Sequence, residues 1–274
     1  MKIDAILSPA ELPPLVGRDL RDTVCVVFDV LRATSTFVTA LHNGAKAVIP
    51  VAEISEALAF RQKKPGVLLG GERDGVKIRA DQTGGGDFDL GNSPREYTPE
   101  KVRGKTIVST TTNGTRALRA CACAQTVLAA SFLNLTVTAQ FIRKLQPVEL
   151  LLVCAGTREN MADEDVLAAG ALGDLLIRWS ETAGEPNREQ KHSGLRGRPP
   201  HLKDTCEFSD SAQIARRVYV QAKPDLLATV CTSENARRLL AIPELRDDVA
   251  FCLRQDVFNL AAALGRDGAI RISI

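Results

Sequence analysis

The chain has 274 residues, 45% of them hydrophobic and 25% charged, an ordinary balance for a soluble globular protein able to bury a sizeable core. A net charge of +2 and an aromatic content of only 4% exclude the basic, stacking surface that a nucleic-acid partner requires. No apolar run approaches membrane-spanning length and residues 1–7 lack a signal-peptide core, so a cytoplasmic protein with no membrane partner is expected.

In chain order, strands are predicted at 3–7, 24–28, 47–51, 67–69, 106–109, 127–130, 148–154, 249–253 and 270–274. Helices are predicted at 35–42, 54–63, 115–124, 135–145, 164–179, 211–222 and 235–240. Several strands are continuous apolar runs rather than alternating ones, as when helices cover both faces of a sheet. The pattern predicts a three-layer α/β/α fold around a mixed, largely parallel sheet, in a single domain spanning 1–274. Two stretches break the alternation: the glycine-rich segment 80–87, read as a loop, and the basic, Gly/Pro-rich segment 184–203, read as a mobile surface insertion. Seven cysteines, odd in number and scattered through apolar runs, read as buried reduced thiols, with Cys154 in the core.

Chemistry is suggested where strands run into helices. Asp29-Val30-Leu31-Arg32-Ala33-Thr34-Ser35-Thr36 follows one apolar run, and Thr110-Thr111-Thr112-Asn113-Gly114-Thr115 follows another. A helix start exposes unpaired N–H groups at the positive end of its dipole, so two of them beside Arg32 point to an anionic, phosphorylated small molecule. Several phosphate machines are excluded. A P-loop needs glycine at 99, where Pro99 stands. A two-aspartate phosphatase needs an acid at 31, where Leu31 stands. No cysteine has an arginine six residues later, and His42 is the only histidine outside 184–203.

What remains is a set of acids, hydroxyls and arginines at expected sheet edges: Gly71-Glu72-Arg73, Asp87 to Pro94, and Asp163-Glu164-Asp165 after Cys154. Arg32 and Arg73 offer forked contacts to phosphate or carboxylate oxygens. The carboxylates would repel a phosphate directly, and a hard divalent cation such as Mg²⁺ resolves that conflict by bridging the two.

At these residues the chain resembles the 2-phosphosulfolactate phosphatase family, known from coenzyme M biosynthesis. The resemblance is carried by Asp29 to Thr36, Asn43-Gly44-Ala45, Gly71-Glu72-Arg73, Phe88 to Pro94, Thr112 to Thr115, Cys154-Ala155-Gly156 and Glu164-Asp165, in the family's order across roughly residues 20 to 175. Ser209 to Ala212 and the Asp256 region extend it. The chain departs from the family pattern at Gly84–Gly86, which lengthens the run to Phe88, and at 184–203.

The resemblance implies Mg²⁺-dependent hydrolysis of 2-phospho-3-sulfolactate to 3-sulfolactate and phosphate, with related 2-phospho-hydroxy acids as further substrates. On this basis Mg²⁺ is expected on some of Asp29, Glu72, Asp89, Glu164 and Asp165. Arg32 with Thr34, Ser35, Thr36, Thr112, Asn113, Gly114 and Thr115 would stabilise the phosphoryl group, and Arg73, Asn92 and Ser93 would orient the carboxylate or sulfonate end. Asp29 has two roles open to it, nucleophile or metal ligand and base, and the absence of an acid at Leu31 favours metal-activated water. The alternative from another class is a non-catalytic binding protein for small anionic metabolites; either reading is compatible with a homo-oligomer.

Overall fold

The computed structural model describes residues 1–183 and 206–274. Its strands are β1 (Lys2–Ile6), β2 (Thr23–Phe28), β3 (Ala47–Pro50), β4 (Leu68–Arg73), β5 (Val76–Lys77), β6 (Thr106–Thr110), β7 (Thr126–Ala130), β8 (Glu149–Cys154), β9 (Glu207–Phe208), β10 (Ala262–Leu264) and β11 (Ile270–Ile272). They form one sheet in the order β5-β4-β6-β3-β11-β10-β7-β2-β8-β1-β9. β4, β6 and β3 are mutually parallel, as are β7, β2, β8, β1 and β9. The antiparallel β10–β11 pair joins these two parallel blocks, pairing with β7 on one side and β3 on the other. The expected mixed, largely parallel sheet with helices on both sides is what forms.

The continuous apolar run of β2 shows why. Val24, Val26 and Phe28 pack on one face against residues such as Leu167 and Leu172 of the helix Asp163–Ala183 and Ala215 of the helix Asp210–Ala222. Cys25 and Val27 point the other way, against Phe37 and Val38 of the helix Ala33–His42 and Leu118 of the helix Gly114–Ala120. Successive strand residues alternate faces, so a strand covered on both sides needs apolar residues at every position. Each fully buried Val or Phe there contributes about 1.5–3 kcal/mol of transfer free energy. A third cluster of Leu69, Val108 and Phe88 lies beneath the helix Ile54–Lys63.

Three expectations change. Residues 249–253 are not a strand but part of the helix Arg246–Cys252. Asp248, Val249 and Cys252 are its buried positions, a spacing of three to four that belongs to a helix face. The segment 80–87 contains a one-turn helix, Ala80–Thr83, closed by Gly84 in the left-handed region. β10 went unpredicted because Ala262, Ala263 and Leu264 offer too short a signal. The insertion expected at 184–203 lies outside the described residues. Cys154 is fully buried in the core, as are Cys25, Cys121 and Cys252, whereas Cys123 is exposed. Among the described residues no helix is long and apolar enough to cross a membrane.

Candidate active site

A pocket opens at the carboxyl ends of β2, β4, β6 and β8, the edge where ligands bind in open α/β sheets. Asp29, Leu31 and Arg32 line it from the turn after β2, and Glu72, Asp74 and Gly75 from the end of β4 and its turn. Asn92, Thr112, Asn113, Thr157 and Arg158 come from the loops, and Asn235, Arg238 and Leu239 from the helix Glu234–Leu240.

Asp29 sits at its floor. The Ala33 N–H donates to Asp29 Oδ1 at 3.0 Å, and the Gly114 N–H also bonds the carboxylate. Burial pushes the Asp29 carboxyl up to about 7; the charges of Glu72 and Glu164 add to the rise, and the two N–H bonds oppose it. Glu72 is held on both oxygens: Thr112 donates its N–H and its hydroxyl to Oε1, each at 2.9 Å, and the Gly75 N–H donates to Oε2 at 2.7 Å. Glu164 is buried, and burial raises it, though the Asn235 amide donating to Oε1 at 2.8 Å holds it partly down. Its Oε2 is buried with no hydrogen-bond partner among the described residues, and so is Asn92 Oδ1.

Three arginines reach the pocket. Arg32 is committed, its Nη1 lying 2.9 Å from Asp248 Oδ2 and its Nη2 donating to the Gly75 carbonyl. Arg158 donates its backbone N–H to Asn113 Oδ1 at 3.2 Å. The Arg238 guanidinium lies over Gly75, where an added Cβ would approach its Nη2 to 3.4 Å. No hydrogen bond or ion pair engages either of these last two guanidinium groups among the described residues.

A buried acid poised to trade a proton, flanked by further carboxylates and by arginines, suits hydrolysis of an anionic ester. The model of the 2-phosphosulpholactate phosphatase family matches residues 10–266. The chain belongs to this family. A protein of Caldanaerobacter subterraneus is 37% identical over 258 residues, covering 93% of each chain, and carries the name probable 2-phosphosulfolactate phosphatase. One of Thermotoga maritima with the same name is 37% identical over 262 residues, 96% of this chain and 95% of its own. A third, of Caldicellulosiruptor saccharolyticus, is 48% identical over 162 residues, 58% of this chain and 64% of that relative. Membership makes the chain, by family, a phosphoric monoester hydrolase.

Within this family frame, Asp29, Arg32, Glu72, Asn92, Thr112 and Asn113 line the pocket as the sequence led one to expect, with Glu164 just behind Asn235. Other expected residues serve as scaffold. Thr34 Oγ1 donates to the Asp29 carbonyl at 3.0 Å, Ser35 Oγ to the Val30 carbonyl at 2.8 Å and Thr36 Oγ1 to the Asn92 carbonyl at 2.7 Å. The helix start at Ala33 is therefore filled by the chain itself, with Asp29 in the anion's place. The second start is filled likewise: Gly114 N–H bonds Asp29, and Thr115 N–H donates to Thr111 Oγ1 at 3.4 Å. Ser93 Oγ donates to Asp248 Oδ1 at 2.7 Å and does not line the pocket.

Arg73 and Asp89 are corrections. Arg73 turns away, donating to the carbonyls of Glu72 at 2.7 Å and Ala52 at 3.3 Å and to Thr110 Oγ1 at 3.0 Å. Asp89 pairs with Arg61 and accepts the Leu69 N–H at 2.7 Å, outside the pocket. Asp165 is buried and braces the backbone, accepting from Val30 N–H at 2.7 Å and Gly156 N–H at 3.0 Å; burial, with Asp29 and Glu164 nearby, holds it well above the usual carboxylate range. Sequence reasoning missed Asp74, Thr157, Arg158, Asn235, Arg238 and Asp248. Asn235 and Arg238 are three apart on one helix face, a signal available in the sequence but empty until the helix is placed over the pocket.

One consequence concerns Gly114. A Cβ there would lie 2.7 Å from Asp29 Oδ2 and 2.8 Å from Ala33 Cβ. Gly114→Ala should displace the carboxylate, slowing phosphate release about tenfold or more and costing about 1–3 kcal/mol of stability as overpacking. Steady-state kinetics and a denaturant titration of the variant check both.

Proposed function

We propose that the chain hydrolyses 2-phospho-3-sulfolactate to 3-sulfolactate and phosphate with Mg²⁺, accepts related 2-phospho-hydroxy acids, and so serves coenzyme M biosynthesis. The observation that carries the reading is the pair of buried carboxylates Asp29 and Glu72 lining one pocket, with Glu164 buried behind Asn235 and its Oε2 unpartnered among the described residues.

The donor set fits a hard cation. It offers only oxygen; burial raises Asp29 and repulsion from Glu72 and Glu164 adds to the rise, a repulsion that a cation would relieve. Among the described residues no three Asp, Glu, His or Cys side chains are grouped so as to hold a metal ion by themselves. Mg²⁺ is commonly held by one or two carboxylates and completed by water and substrate phosphate oxygens. Asp29 and Glu72 are the pocket-lining carboxylates that would hold it, with Glu164 behind Asn235; Asp89 and Asp165 are committed elsewhere. When bound, the cation supplies charge neutralisation at the phosphoryl oxygens.

The chain's own groups do the rest. Asp29, whose carboxyl is raised by burial in the metal-free fold, is the group placed to accept a proton from the attacking water as the new P–O bond forms. The ester P–O bond breaks, and the same proton is returned to the leaving alkoxide of the hydroxy acid, so water's two hydrogens end one on the product hydroxyl and one on phosphate. Arg32, fixed by Asp248 and the Gly75 carbonyl, lines the pocket and sets a positive charge beside the charge developing on phosphorus. The water-attack version is favoured over an acyl phosphate on Asp29 because the Asp29 carboxylate already accepts backbone N–H bonds from Ala33 and Gly114, which restrain its approach to phosphorus.

The test is phosphate release from 2-phospho-3-sulfolactate and 2-phospholactate, with Mg²⁺ and with chelator. Release that the chelator abolishes, faster for the sulfonate, is the expected result. Equal rates for both esters indicate a broader phosphohydroxyacid phosphatase. No release by the folded protein favours the binding-protein alternative.

A further inference from the structure

We propose that Arg158 and Arg238 form the subsite for the second oxyanion of the substrate, the sulfonate or carboxylate remote from the phosphate, and so set specificity. This rests on the phosphatase reading of the same pocket and goes beyond it by naming which residues choose the acid.

The substrate class carries a phosphate and at least one further oxyanion, while the pocket floor is lined by carboxylates. A cation on those carboxylates answers the phosphate but leaves the other oxyanion facing an acidic wall. Each such group needs forked N–H donors that no protein carboxylate already holds. Arg32 does not qualify, since Asp248 and the Gly75 carbonyl hold its two terminal nitrogens. Nor does Arg73, which the carbonyls of Glu72 and Ala52 and the Thr110 hydroxyl take out of the pocket. Arg158 and Arg238 remain, the two pocket-lining guanidinium groups with no partner among the described residues.

Their mounting is suited to the task. Arg158 is anchored by its backbone N–H to Asn113 Oδ1, beside Thr112 that holds Glu72. Arg238 lies over Gly75, whose own N–H holds Glu72 Oε2. Both arginines therefore stand next to the residues that fix the Glu72 carboxylate, on elements eighty residues apart in the chain. A ligand joining the two poles would bridge the loop after β8 and the helix Glu234–Leu240.

Calorimetric binding of 3-sulfolactate and of lactate, each with Mg²⁺, tests this in the wild-type protein, Arg158→Gln and Arg238→Gln. Arg237→Gln, an exposed arginine on the same helix outside the pocket, is the control. Each pocket variant should weaken 3-sulfolactate binding roughly 10- to 100-fold, and the control should leave it unchanged. If the variants lose 3-sulfolactate but bind lactate as before, the pair serves the sulfonate; if both ligands weaken together, it serves the carboxylate. In kinetics the KM for 2-phospho-3-sulfolactate should rise while kcat/KM for phenyl phosphate, which lacks the second oxyanion, stays within about threefold. Unchanged 3-sulfolactate affinity in both variants overturns the subsite even if the enzyme releases phosphate, as does failure of the wild-type protein to bind 3-sulfolactate. A wild-type protein that binds 3-sulfolactate through these arginines yet hydrolyses no ester keeps the subsite and overturns the phosphatase reading.

Discussion

Asp29→Asn should leave a folded protein whose phosphate release is about 10²–10⁴-fold slower, the range removed with a general base, or about 3–5 kcal/mol of transition-state stabilisation. Asparagine keeps the shape but cannot take the proton. It also loses one acceptor: Asp29 receives N–H bonds from Ala33 and Gly114, and an amide can accept on its oxygen alone. The unpaired N–H costs about 1–3 kcal/mol, partly offset because the neutral amide no longer repels Glu72 and Glu164. The pH dependence separates these effects. The folded Asp29 carboxyl, raised to about 7, stays protonated over a range in which the unfolded one has already ionised. The stability it lends the metal-free fold is thus whole below the unfolded value, about 3.9, and is lost progressively as pH rises to 7. Asp29→Asn removes that contribution, so the fall in Tm between pH 4 and 7 should be shallower in the variant, with the shares of Glu164 and Asp165 remaining. Near-normal turnover in Asp29→Asn would exclude it as base, nucleophile and essential ligand alike.

The same residue shows how far sequence reading reaches. The fold class was legible because β2 must be apolar at every position to be covered on both faces, and that leaves an unmistakable run ending at Asp29. Strand ends then locate the pocket edge, which is how Asp29, Glu72 and Thr112 could be named in advance. What could not be read is direction. Thr34, Ser35 and Thr36 have the right chemistry in the right place, yet each hydroxyl points back into the backbone it braces. The two helix starts looked vacant because a sequence does not reveal that Asp29 satisfies both. Arg73 was named as a site residue beside Glu72, but a strand sends neighbouring side chains to opposite faces. Asp248 lies 216 positions from Arg32, inside a segment whose apolar residues imitated a strand, so no local pattern could have joined them.

Breaking that long-range pair has the largest expected effect on stability. The side chains of Arg32 and Asp248 are 2% and 0% exposed, and Asp248 also accepts from Ser93 Oγ at 2.7 Å. Asp248→Asn keeps the volume but leaves the Arg32 charge buried without its counter-ion, a change of about 3–5 kcal/mol, or a fall in Tm of roughly 10 °C for a chain of this size. Turnover should fall too, because Arg32 loses the contact that aims it into the pocket. The two losses separate in Arg32→Met/Asp248→Met. Replacing both partners of a buried ion pair with apolar residues of similar length is often close to neutral, so the double variant should melt well above Asp248→Asn. Its kcat/KM should stay depressed by about 10- to 100-fold, since no guanidinium faces the phosphoryl group. Recovery of both stability and turnover would make Arg32 scaffold alone. Recovery of stability without turnover places it in the chemistry, with Asp248 as the residue that holds it there.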